Sequence, residues 1–216
     1  MPTLQMPYPS VQSGNTLLYG GSQMRSDSAT IQRCGCGPVA ALNCVFYLKQ
    51  RRDHTEGIPL PLPYYNEKLR QVCRNYFPLV PPFGINGIVF VLGLNRMLDA
   101  EGLPFRAHWC VSGDKLWDRV AEMLERDLPV ILSVGPNFPA VWEKHKLKFY
   151  RKITDGNYRP AAATKAHYVT ATALDAEWLR ISSWGKEYYI NREEYEAFVK
   201  AHSSYLFSNL VYLSKK

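Results

Sequence analysis

QRCGCGPVAALNCVFYLKQ, residues 32–50, places two cysteines around one glycine and then runs into helix-forming residues that are apolar nearly all the way round. The pattern predicts a helix from about Cys36 to Arg51. Pro38 fits its first turn, whose N–H groups have no intrahelical acceptor. Lys49, Arg51 and Arg52 crowd the other end, where the carbonyl dipoles favour cations. A helix lacking a polar face is buried on most sides. Cys36 then stands at the N-terminus of a central helix, where the macrodipole favours thiolate. Gly35 and Gly37 leave room for a substrate and let the Cys36 N–H face an oxyanion. Cys34 falls in the entering loop. Two other readings of these cysteines stay open. They are small buried residues, or they form a metal clip with Cys44 or Cys73, although a single C-x-C without a second pair at ligand spacing is a weak metal signature.

The rest of the chain places this helix in an α+β context. Residues 1–30, rich in Pro, Gly, Ser and Gln, read as an extended N-terminal arm and loop, and 31–216 as one catalytic domain. Helices are expected at 65–76 and 86–101, the second closed by Gly102. Afterwards the period changes. FRAHWCV (105–111) reads as a strand, and the following stretch as an amphipathic helix with Leu116, Val120, Met123 and Leu124 on one face. LPVILSVG (128–135), HYVTATAL (167–174) and WLRISSWG (178–185) read as strands, the last two around a turn at Asp175-Ala176-Glu177. A short helix lies within 188–202, and 205–213 closes the chain as a strand. Helices first and strands afterwards argue a helical lobe against an antiparallel sheet.

A nucleophilic cysteine needs a base. Of the five histidines, His54 and His145 sit in charged stretches, His202 follows a surface helix, and His108 is flanked by Trp109. His167 opens an apolar strand after a small-residue loop, a sensible place for a general base facing a cleft. A two-strand excursion through the turn at Asp175 would bring Ser182 back beside it, to accept from the imidazole and fix its tautomer. Trp184, two residues on, would share that face and shield the bond from water. Asp175 itself sits in the turn, away from His167.

Taken in order, Gly35-Cys36-Gly37-Pro38, the Pro129–Leu132 strand, His167–Val169 and Ser182-Ser183-Trp184-Gly185 resemble the papain-like cysteine peptidases, and most closely the bacterial group related to peptidases that remove double-glycine leaders. The resemblance spans roughly residues 20 to 213. It implies a papain-like fold, thioester acyl-enzyme chemistry on Cys36 with His167 as base, and no cofactor or metal. The chain departs from the family at two places. Ser182 stands where the family has Asn or Asp, and the position six before the nucleophile, where the family carries its oxyanion glutamine, is Thr30. Gln23 after Gly20-Gly21 is the preferred substitute, with Gln32 as runner-up.

The expected partner is a peptide or amide substrate. Two rivals accompany this reading: a papain-like binding module that no longer turns over, and an acyltransferase using the same Cys–His pair. A net charge of +7 spread along the chain, without a dense basic patch, argues against nucleic acid. GIVFVLGL is too short to span a bilayer. The N-terminus has no signal-peptide pattern, and five cysteines without framework spacing suggest reduced thiols, hence a cytoplasmic expectation. The oligomeric state has no sequence signature. The long connection from Gly135 to Ala166, with Pro136, Phe138, Trp142, Phe149 and Tyr150, is expected to cover the cleft.

Overall fold

The structure, a computed structural model, describes residues 1–55, 57–81, 84–135 and 145–216. The chain opens with a hairpin of β1 (Ser10–Ser13) and β2 (Thr16–Tyr19), inside the stretch expected to be an extended arm. Then come α1 (Ala29–Cys34), α2 (Cys36–Asp53), the short β3 (Leu60–Pro61), α3 (Leu62–Asn75) and α4 (Gly87–Ala100). The second half runs β4 (Phe105–Trp109), α5 (Leu116–Glu125), β5 (Val130–Val134), β6 (Leu147–Lys152), β7 (Tyr158–Thr164), β8 (His167–Leu174), β9 (Trp178–Ser183), β10 (Lys186–Asn191), α6 (Arg192–His202) and β11 (Leu210–Lys215).

The predicted helices and most of the predicted strands are present within a few residues. Four stretches differ. Residues 10–19 form a hairpin rather than an extended arm, and Cys34, expected in the entering loop, is the last residue of α1. β10 occupies 186–191, where only a helix was expected, because Trp184-Gly185 makes a tight hairpin turn that returns the chain along β9. The connection after Gly135 is not a cover over the cleft where it is described: residues 147–152 and 158–164 form a hairpin that extends the sheet. Phe149 and Tyr150 belong to it and are buried. Pro136, Phe138 and Trp142 lie outside the described residues.

The large sheet has eight strands in the order β4-β11-β5-β8-β9-β10-β6-β7, each neighbouring pair antiparallel. β8, buried along its whole length, lies near the middle and takes α2 against it. α2 is buried continuously from Gly37 to Leu48, as a helix with no polar face must be. α5 buries Leu116, Val120, Met123 and Leu124, the face its periodicity marked.

One buried carboxylate ties three remote parts together. Asp127, between α5 and β5, accepts hydrogen bonds from the Tyr47 hydroxyl of α2 and, at 2.7 Å, from the Gln5 N–H of the N-terminal segment. Arg51, at the end of α2, pairs with it at 3.3 Å and also donates to its carbonyl at 3.0 Å. Asp127 adopts a left-handed backbone, φ 58°, which Asp and Asn tolerate better than most residues. Asp127→Ala strands the Tyr47 O–H and the Gln5 N–H and is expected to cost about 3 kcal/mol in urea unfolding. Asp127→Asn, which keeps an acceptor and the backbone preference, should cost clearly less; equal losses would show that the hydrogen bonds carry none of the effect.

Candidate active site

Cys36 is the first residue of α2 and is half-buried in a cleft of about 260 Å³ whose opposite wall includes His167. A narrow recess of about 10 Å³ continues behind the pair and reaches Gln23, Asn43, Thr170 and Ser182. The order of elements explains the juxtaposition. α2 packs on β8, so the start of the helix meets the start of the strand.

His167 is buried, and its Nε2 lies 2.8 Å from the Oγ of Ser183. Its ring stacks on Trp184 with centroids 4.5 Å apart. Phe149 supports Trp184 from 5.6 Å. Trp184 reaches this position because it and Gly185, with φ 50° and 72°, form the two-residue turn between the paired residues Ser183 and Lys186. Positive φ at both central residues is what a type I′ hairpin turn requires. Glycine takes it freely, whereas in tryptophan it costs about 1–2 kcal/mol. The stacking of the indole on the imidazole offsets that strain.

The expected role of Ser182 is corrected. Its Oγ donates to the Tyr19 carbonyl at 2.8 Å, and Ser183 is the residue on the imidazole. The cause is a β-bulge. Near the turn Leu174 pairs with Leu179 and Ala173 with Arg180, a register that would put Ser182 on the face of His167. At Thr172 the register shifts, and beyond it Ala171 pairs with Ile181 and Thr170 with Ser182. One extra residue exchanges the two faces of a strand, so Ser183 replaces Ser182 beside His167. The bulge is held from several sides: the Thr172 carbonyl accepts from the Leu4 N–H at 3.0 Å, and its hydroxyl meets Tyr19 Oη at 3.0 Å and Arg180 Nε at 3.1 Å.

Ser182 instead helps to hold the loop that carries Gln23. The Gly21 N–H donates to Asn43 Oδ1 at 3.0 Å, and the same oxygen accepts from the Tyr65 hydroxyl at 2.9 Å. A Cβ at Gly21 would lie 1.9 Å from the Tyr65 ring, so only glycine lets the loop approach so closely. Gln23 follows, buried beside Cys36 and His167, with its Nε2 donating to the Gln32 carbonyl at 2.9 Å. The amide carries one further N–H besides the one given to Gln32. The Gln32 side chain turns away to the Ser26 carbonyl at 2.7 Å, so Gln32 serves Gln23 through its backbone. Asp175 caps its own turn, accepting from the N–H groups of Glu177 and Trp178. Ser183, Asn43 and Thr172 were not singled out from sequence. Asn43 alone had a visible signal, a polar side chain in the middle of an otherwise apolar helix.

The electrostatics of the pair differ from the thiolate expected at a helix start. Burial pushes the Cys36 thiol up; the backbone N–H groups of Tyr168 and Gly37 oppose this without overcoming it. Burial also drives the His167 pKa down to about 3. At rest the pair is therefore a thiol and a neutral imidazole. Cys34, Cys36, Cys44, Cys73 and Cys110 are all free thiols. Among the described residues no three His, Cys, Asp or Glu side chains are grouped to hold a metal, and no helix is long and apolar enough to cross a membrane.

A buried helix that presents a cysteine to a histidine on an antiparallel sheet defines the papain-like α+β fold. No family model matches the chain, and no curated protein does. Among solved structures, the crystal structure of a candidate C39-like peptidase from Bacillus anthracis aligns with a TM-score of 0.52 at 14% identity, over 96% of this chain and 98% of that one. At that identity the likeness shows the fold, which the two chains share almost end to end.

The imidazole state has a direct readout. Histidine ¹⁵N spectra should show His167 neutral from about pH 5 upward. Ser183→Ala should alter its nitrogen shifts, whereas Ser182→Ala should leave them nearly unchanged. The stability consequence has a definite sign. The folded pKa lies below the unfolded value of about 6.5, so the unfolded chain binds the extra proton. The contribution of His167 is therefore intact above about pH 6.5 and is lost as pH falls toward 3. Thermal unfolding followed against pH should lose part of its acid slope in His167→Gln; an identical slope in both proteins would exclude His167 as its source.

Proposed function

We propose that the chain is a cysteine peptidase or amide hydrolase working through a thioester on Cys36. The observation that carries this reading is that Cys36 and a buried, oriented His167 line one cleft. Nε2–H donates to Ser183 Oγ, which leaves the Nδ1 lone pair as the base. As Cys36 attacks the substrate carbonyl, its proton passes to His167. The oxyanion is received by the Cys36 N–H and the free amide N–H of Gln23. Collapse expels the amine, protonated by His167. The neutral imidazole then activates a water that hydrolyses the thioester.

One observation favours a second reading. The imidazole partner is a neutral hydroxyl, which stabilises imidazolium less than a carboxylate does. A scaffold that keeps the pair and binds a peptide without turnover fits that feature.

A peptidyl acyloxymethyl ketone separates the two. In an active enzyme it should label Cys36 alone, and His167→Ala should slow labelling by about a hundredfold or more, the scale of general-base assistance. Labelling of Cys34 at a similar rate would overturn the nucleophile. Absence of labelling in the parent with its appearance in Ser183→Asn would establish the binding scaffold.

A further inference from the structure

The cleft at Cys36 has a pronounced asymmetry of charge. Its walls are mainly apolar: Ile85, Val134, Tyr168, Trp109 and Phe207 face it together with glycines, and the neutral polar Asn86 and Ser133 also line it. Arg33 is the one charged side chain among the described residues that line it. It sits in the last turn of α1, three residues before the nucleophile, and is exposed. It makes no ion pair or hydrogen bond with any described residue, unlike Arg70, which bridges Asp27 and Glu67 nearby in the fold.

Resting on the peptidase reading above, we propose that Arg33 selects acyl donors that carry a carboxylate, so that the substrate class is acidic peptides with an apolar neighbour to the acidic residue. The apolar walls provide the physical reason. A carboxylate entering this cleft meets a cation with no competing anion among the described residues that line it, beside low-dielectric side chains that weaken screening. Guanidinium also offers a planar pair of donors matched to a carboxylate. A lysine-bearing substrate meets repulsion at the same place, so the residue excludes as well as attracts.

The test uses matched peptidyl acyloxymethyl ketones that differ only in Glu against Gln, moved through each position before the reactive group. Cys36 labelling rates are read by intact mass. At one position Glu should react about fivefold to tenfold faster than Gln, the scale of one partly exposed charge pair. The ratio should shrink in high salt. Arg33→Gln should bring it to about one, and Arg33→Glu should turn the preference toward Lys, as reversal of a single pairing charge requires. No position with a Glu preference above about twofold, or a preference that survives Arg33→Gln, would overturn the assignment. Using the ratio of two probes cancels any change in thiol reactivity caused by the substitution. Failure of the peptidase reading has a different signature: no probe labels Cys36, or His167→Ala leaves every rate unchanged.

Discussion

Every residue of α2 from Gly37 to Leu48 is buried, and the strand it packs against, β8, is buried along its length. That contact sets the geometry of the site. A helix with no polar face has no stable place except between other elements, and β8, near the middle of the large sheet, presents the apolar surface that accepts it. Once the two are packed, the N-terminus of the helix and the first residue of the strand are brought to one end, with Cys36 on one and His167 on the other. Gly37 lies under the rings of Phe90 and Tyr168, which a Cβ there would approach to 3.3 Å. Small residues at the helix start therefore serve packing as well as access to the sulfur.

The parts of the fold legible in the sequence were those with strong periodicity. The apolar run after Cys36, the striped face of α5 and the uninterrupted HYVTATAL strand each had one stable disposition. The identity of the serine on His167 was not legible, because it depends on a count. A single bulge at Thr172 exchanges the faces of Ser182 and Ser183, and a bulge leaves little trace in local residue types. Two of its supports, Leu4 and Tyr19, come from far away in the chain, and Arg180 of the neighbouring strand joins them on Thr172. β10 was missed for a related reason. The turn before it is built on a tryptophan with positive φ, which ordinary turn chemistry disfavours and which only the stacking on His167 makes intelligible.

The loop carrying Gln23 brings a glutamine thirteen residues upstream of Cys36 into the recess beside it. Gln23 lies well upstream of the usual spacing, and α1 fills the interval between it and Cys36. The loop is then drawn back by Asn43, which holds Gly21, and by Ser182, which holds Tyr19. Ser182 thus supports the loop that carries Gln23, while its neighbour Ser183 contacts the imidazole. Of two adjacent serines on opposite faces of β9, Ser183 takes the imidazole contact that the resemblance assigned to Ser182, and Ser182 holds Tyr19 instead.

The neutral resting state of the pair follows from the same burial that builds it. Taking a lone imidazolium into this site is unfavourable, as the depressed His167 pKa records, and no carboxylate among the described residues shares its hydrogen bonds. Proton transfer alone would create a buried thiolate and imidazolium with little to hold them. In the proposed reaction, transfer coupled to attack is different, because negative charge would move from sulfur to the substrate oxygen, which the Cys36 N–H and Gln23 would receive. The imidazolium then forms beside an oxyanion that is already solvated by the protein. In the proposed reaction the charge pair is favourable chiefly while substrate is reacting, so turnover would depend on the alignment of Gln23 and the Cys36 N–H more than on a preformed thiolate. On that proposal, the Asn43 and Ser182 contacts that fix the Gln23 loop carry more of the reaction than the single hydroxyl on the imidazole.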